Sequence, residues 1–270
     1  MGCLGPIVVN DPGLLLLDSL VADSARKNHQ TGWALSLCVD AREAGGSFRS
    51  SLPRRRSTVF GQPAADPVRA AEEAARRARS KTRRYCAANG LNRLGTLTYR
   101  GAGCHDPRAL RADVAAFFRV LRSSLGGRAF PYLWTSEWHK SGHGLHVHFA
   151  VGHYIPRSLI EEAWPHGFVH IKLLGDLPVG SGVIAESRLG AHYLSKYVGK
   201  GFDAQRSQGL HRYEVAQGFQ PKIFVLWGRT WEEVIDIACA AMREEPEVVW
   251  FSDEAVNWQG PPALWLQWRG

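Results

Sequence analysis

Between Arg93 and Leu174 the hydrophobic pattern switches repeatedly between a period of two and a period near 3.6, and this order constrains the fold more than any other feature. Arg93 to Tyr99 alternates as a strand does. Asp106-Pro107 opens a helix with Leu110, Val114, Phe117, Phe118 and Leu121 on one side, and Gly126-Gly127 closes it. Pro131 to Trp138 and Gly144 to Gly152 are expected to be two strands joined by a short polar turn. Pro156 to Trp164 then suits a short helix, and Gly167 to Leu174 a further strand. The order β-α-β-β-α-β predicts an α+β fold, a central antiparallel sheet backed by two helices.

The flanks divide the rest. Residues 41–66 are rich in Gly, Ser, Arg and Pro, so residues 1–65 are expected to be a basic N-terminal arm or linker. A helix should run from Asp66 to about Asn89, capped by Asp66, with Pro67 at its first position and Asn89-Gly90 at its end. The main domain is expected over residues 66–205. A Gly-rich loop, Gly175 to Gly182, leads into one more helix of that domain. Beyond lies a Trp-rich α/β extension, residues 206–270, with a strand near Ile223–Trp227, a helix near Trp231–Met242 and an acidic tail. Trp250, Trp258, Trp265 and Trp268 are expected to cover a hydrophobic surface there, and Trp134 and Trp138 to belong to the main core.

Charge narrows the partners. The chain carries a formal +8, and its first 100 residues hold 16 Lys/Arg against 8 Asp/Glu, while the remainder holds 17 against 17. An acidic partner is expected, nucleic acid before a membrane surface. Arg76, Arg77, Arg79, Lys81, Arg83 and Arg84 cluster on the 66–89 helix as candidate DNA contacts, although a solvated basic face would look the same. No apolar run is long enough to span a membrane. Cys3, Cys38, Cys86, Cys104 and Cys239 are odd in number and lack Cys-x-x-Cys spacing, which points to a reducing cytoplasm rather than a disulfide framework.

Two short segments carry the chemistry. In a strand, residues two apart share a face, so His146 and His148 point one way while Leu145, Val147 and Phe149 point into the core. On the preceding strand Glu137 falls in the phase that a hairpin would bring beside them. Two imidazoles and a carboxylate make a three-point metal site with positions left for water or a phosphate oxygen. His139, His105 and His143 are further candidates, and surface histidines on an amphipathic strand would leave the same pattern. Such donors do not fix the metal: magnesium, manganese and zinc are all compatible.

On the helix after the loop, Tyr193, Lys196, Tyr197 and Lys200 fall within about 100° of arc, while Ala191, Leu194 and Val198 form a separate packing flank. An i, i+4 aromatic pair alone is usually a packing seam. Beside a metal and two ammonium groups, however, a phenol can act as a nucleophile on phosphorus.

These residues resemble the HUH endonuclease superfamily, named for a His-hydrophobic-His signature, here His146-Val147-His148. The nearest resemblance is to two-tyrosine rolling-circle replication initiators (Rep proteins) of plasmids and small phages. Those carry Tyr-x-x-Lys-Tyr-x-x-Lys, matched by Tyr193, Lys196, Tyr197 and Lys200. Leu94-Gly95-Thr96-Leu97-Thr98-Tyr99 resembles their first motif, and Glu137 sits where many members place a third metal ligand.

The resemblance covers about residues 93–200 and implies a sheet of the RRM, or ferredoxin-like, type followed by a tyrosine-bearing helix. It also implies a divalent ion on Glu137, His146 and His148, and in-line attack by Tyr193 or Tyr197 on single-stranded origin DNA. A 5′-phosphotyrosine link and a free 3′-hydroxyl would result, with Lys196 or Lys200 balancing charge on the phosphate. A host helicase and polymerase and a bacterial cytoplasm are implied as well. Gly199-Lys200 lacks the upstream glycine of a P-loop, so no nucleotide cofactor is expected.

Rival readings keep part of this chemistry. A two-tyrosine transposase shares all of it. A relaxase usually carries its tyrosine near the N-terminus, whereas both phenols here follow the histidines. A non-catalytic DNA-binding regulator would use the metal for structure alone, and a plain zinc hydrolase leaves the paired tyrosines without a role.

Overall fold

The computed structural model describes residues 19–23, 31–50, 66–172, 182–200 and 213–270, without the side chains of 199 and 200. The described residues of Met1–Ser57 and Lys222–Arg269 form one compact unit, and those of Thr58–Pro221 form another.

The first unit contains strands β1 (Gly32–Cys38) and β2 (Glu43–Arg49), which pair antiparallel. Two stretches of the arm or linker expected over residues 1–65, Gly32–Cys38 and Glu43–Arg49, are therefore sheet strands instead, while 51–65 lie outside the described residues. Further along the chain, β8 (Phe224–Gly228), β9 (Val248–Phe251) and β10 (Ala263–Gln267) complete a five-stranded sheet of order β8-β1-β2-β10-β9. Helix α5 (Trp231–Met242) packs on it, with Val234 and Ala238 buried against Trp33, Leu35, Leu37, Leu226 and Leu266. The acidic tail thus contributes two strands to the sheet, and Trp268 is fully buried while Trp258 remains exposed.

The second unit holds the β-α-β-β-α-β run. Helix α1 (Pro67–Ala88) precedes it, with the Asp66 carboxylate accepting from the Arg69 N–H at 3.0 Å, a cap contributing about 1 kcal/mol. Then follow β3 (Arg93–Tyr99), α2 (Pro107–Ser124), β4 (Tyr132–Trp138), β5 (Leu145–Val151), α3 (Arg157–Ala163) and β6 (Gly167–Lys172). Helix α4 (Gly182–Lys200) and β7 (Tyr213–Val215) close the unit. All strand pairs in the resulting sheet are antiparallel, and its order is β6-β3-β5-β4-β7. Most of the expected Gly-rich loop lies outside the described residues.

Alternation gives this sheet two different faces. Leu97, Tyr99, Trp134, Val147, Phe149 and Val169 pack against Phe117, Phe118 and Leu121 of α2 and Ile160 and Ala163 of α3. Burying each large apolar side chain contributes about 1.5–3 kcal/mol, so this side carries most of the fold's driving force. On the opposite face, Leu94, Leu133 and Ala150 are covered by Tyr85 and Cys86 of α1 and Ala191 and Leu194 of α4. The next row on this face is polar, and its Thr135 and His148 are also buried. Trp138 departs from the expected core role. It shares a strand phase with Trp134, yet it ends β4 at the hairpin tip and is 40% exposed.

Candidate metal and tyrosine centre

The polar rows are set by strand register. Glu137 on β4 stands directly opposite His146 on β5, and His148 stands between Thr135 on β4 and Thr96 on β3. Residues opposite one another in an antiparallel pair project from the same face, so register alone brings these side chains together. The His146 and His148 Nε2 atoms lie 3.0 Å apart, and each points at the Glu137 Oε2, at 3.5 Å and 3.6 Å. All three donors lie within 4.8 Å of one another.

The fit to a cation follows from these separations. With bonds of about 2.1 Å, two nitrogens 3.0 Å apart subtend about 90° at a shared ion, and pairs 3.5–3.6 Å apart subtend about 115°. Both angles suit a partly open coordination sphere. Ring orientation is fixed from behind. The His148 Nδ1 lies 3.0 Å from the Thr96 Oγ1, an arrangement that turns Nε2 toward the cluster.

The other candidate histidines stand apart from this convergence. His139 packs edge-on to the His146 ring at 5.5 Å, but its Nδ1 lies 2.6 Å from the Ser141 Oγ. His105 and His143 face backbone carbonyls, those of Ala102 and Tyr99.

Helix α4 delivers the phenols to the same place. Ala191, Leu194 and Val198 are buried, as the expected packing flank requires, which turns Tyr193 and Tyr197 toward β5. The Tyr197 ring stacks on His148 with centroids 3.8 Å apart and planes 21° apart, and Tyr193 meets the same imidazole edge-on at 6.2 Å. The Tyr197 hydroxyl donates to the Tyr193 hydroxyl at 2.8 Å. Burial pushes the Tyr197 phenol well above its ordinary range, and the hydrogen bond to Tyr193, the charge of Tyr193 and that of Glu137 act in the same direction.

Lys196 places its Nζ 5.9 Å from the Tyr193 ring, and the side chain of Lys200 lies outside the described residues. Lys172 comes closer, its Nζ 3.9 Å from the Tyr193 centroid. Sequence reasoning passed over Lys172 and gave Thr96 no role. The alternation of β6 was the available signal for the first, and the position of Thr96 in the first family-like motif for the second.

On the basic helix, Arg76, Arg77, Arg79 and Lys81 are exposed and Arg83 and Arg84 half-buried, and Arg77 pairs with Glu73 at 3.7 Å.

The segment that builds this centre has a family counterpart. Residues 92–202 match the family model of the replication-associated protein ORF2/G2P. The match spans less than half of the 270 residues, and it supports a Rep-type replication protein with a role in replication and a DNA partner. No curated protein and no solved structure matches the chain. Among the described residues, no helix is long and apolar enough to cross a membrane.

Proposed function

We propose that this chain is an HUH-type replication initiator that nicks and rejoins single-stranded DNA at an origin through a tyrosine-linked intermediate. One observation carries the reading: Tyr197 stacks at 3.8 Å on His148, itself one of three converging metal-type donors, and hydrogen-bonds to a second phenol. A packing seam requires no such donors beneath it, and a structural metal site requires no phenols above it.

Glu137, His146 and His148 would hold the divalent ion, which when bound supplies Lewis-acid polarisation of the scissile phosphate. The phenol oxygen of Tyr193 or Tyr197 forms the new bond to phosphorus and the bond to the 3′-oxygen breaks. The DNA 5′ end is left on the protein and a 3′-hydroxyl is released, which has taken up a proton; the phenol proton passes to solvent. Since the bond formed is also a phosphodiester, its energy is retained for rejoining. The partner tyrosine, already in hydrogen-bond contact, is placed to accept the next strand. Lys196 and Lys200 offset charge on the phosphate, an electrostatic role. Arg76, Arg77, Arg79, Lys81, Arg83 and Arg84 contact the DNA backbone outside the centre.

The test uses single-stranded DNA tiled across the sequence flanking the coding gene, labelled at its 3′ end, incubated with the protein and manganese. Label should migrate with the protein on a denaturing gel, disappear with chelator, and be absent from the Tyr193→Phe, Tyr197→Phe double variant. An adduct in the double variant, or none with any tile, overturns the proposal.

A further inference from the structure

The face of the sheet that bears the metal-type donors continues sideways onto β6, an edge strand. Register puts Lys172 opposite Leu94, His170 opposite Thr96 and Phe168 opposite Thr98, so these three β6 residues share the face of His148. In the opposite phase Val169 is buried in the core, while Ile171 is 40% exposed. The three on the His148 face are all exposed, but Lys172 has its Nζ 3.9 Å from the Tyr193 ring centroid, whereas Phe168 is 64% exposed at the other end of the row.

A phenylalanine that exposed, on the strand face leading to the candidate centre, is not explained by the fold, because it belongs to neither of the buried apolar clusters on the two sides of the sheet. Strand β6, Gly-Phe-Val-His-Ile-Lys, carries no carboxylate. The row therefore offers a π-face, an imidazole and an ammonium group in line, which complements a chain of bases joined by phosphates: the ring suits a base and the cation the backbone. Duplex DNA buries the faces of its bases, so only an unpaired strand can use the aromatic ring.

We infer that the open face of β6 is a track for single-stranded DNA. A base stacks on Phe168 and Lys172 holds the phosphate nearest Tyr193. The inference rests on the strand-transfer reading above and gives it a direction, since the strand would leave the centre across β3 toward the β6 edge. Two strand spacings of about 4.8 Å and two residues of about 3.3 Å separate His148 from Phe168, roughly 12 Å, so one short segment can occupy both.

Binding tests this apart from cleavage. The Tyr193→Phe, Tyr197→Phe protein is titrated without metal into a fluorescein-labelled 20-nucleotide single strand of mixed sequence, and separately into its duplex. Adding Phe168→Ala should weaken single-strand binding about 5- to 100-fold and leave duplex binding unchanged, whereas Phe168→Trp should retain affinity. Lys172→Ala should lower the salt dependence of single-strand binding by about 0.7 in log–log slope, and Lys172→Arg should preserve it. Unchanged melting temperatures establish that each variant is folded. Single-strand affinity indifferent to Phe168→Ala, or an equal loss on duplex, overturns the track. If the track holds but the parent protein forms no covalent adduct, the cleavage reading fails by itself.

Discussion

Replacing Thr96 with Val tests the metal centre without touching a ligand. Valine keeps the shape and strand preference of threonine but removes the oxygen 3.0 Å from the His148 Nδ1. His148 is 5% exposed, so water has little access to take the lost oxygen's place. Depriving a nearly buried polar group of such a partner costs about 1–3 kcal/mol. Part of that cost falls on the metal-ready ring orientation, and the analogous loss behind other histidine ligands lowers affinity about 10- to 100-fold, or about 1.4–2.8 kcal/mol. Manganese titration by calorimetry should therefore show a dissociation constant raised by one to two orders of magnitude in Thr96→Val, with the number of sites unchanged. Thr96→Ser, which keeps the hydroxyl, should bind within a few-fold of the parent. If valine binds manganese as the parent does, or serine loses as much as valine, the hydroxyl does not orient His148 and the argument fails.

Two further outcomes follow from the packing. A Cβ on Gly95 would come within 2.3 Å of Cε1 and Cζ of the buried Phe149 ring, so Gly95→Ala should cost about 1–3 kcal/mol, read as a lower urea midpoint at unchanged slope; an unchanged midpoint would show that the ring yields freely. Burial pushes the Cys86 thiol up to about 12 from an ordinary 9.0, so above pH 9 the unfolded chain releases this proton while the folded chain holds it. The stability tied to Cys86 is thus intact below pH 9 and declines toward pH 12. The deficit of Cys86→Ala relative to the parent should shrink over that range, and parallel curves would refute this.

The parts of this architecture legible in the sequence are those fixed by local rules. Alternation in Leu145–Val151 separates the His146/His148 face from the core, and Asp66 and Asp106 announce their helices because a carboxylate there meets a free backbone N–H of the first turn. Ala191, Leu194 and Val198 give the orientation of α4 through helical spacing. What was missed depends on distant partners. Strand β2, Glu-Ala-Gly-Gly-Ser-Phe-Arg, has few of the residues that favour strands, and its place is set by β1 and by β10. A Cβ on Gly46 would sit 1.9 Å from the Ala34 carbonyl oxygen, so closeness of the neighbouring backbone, invisible in a linear pattern, selects the glycine. Trp138 follows the core phase past the point where there is core to meet. Lys172 was passed over because its contact with Tyr193 exists only once α4 folds back over the sheet.

The three candidate ligands come from a single hairpin, β4 and β5, with Glu137 facing His146 across the ladder. A slip of one residue between these strands would send the carboxylate and the imidazoles to opposite sides, and no cation could then bridge them. An ion captured by the three would therefore report correct strand alignment and, by mass action, disfavour every misaligned hairpin. Loading of the centre and proofreading of its own β-structure would be one event.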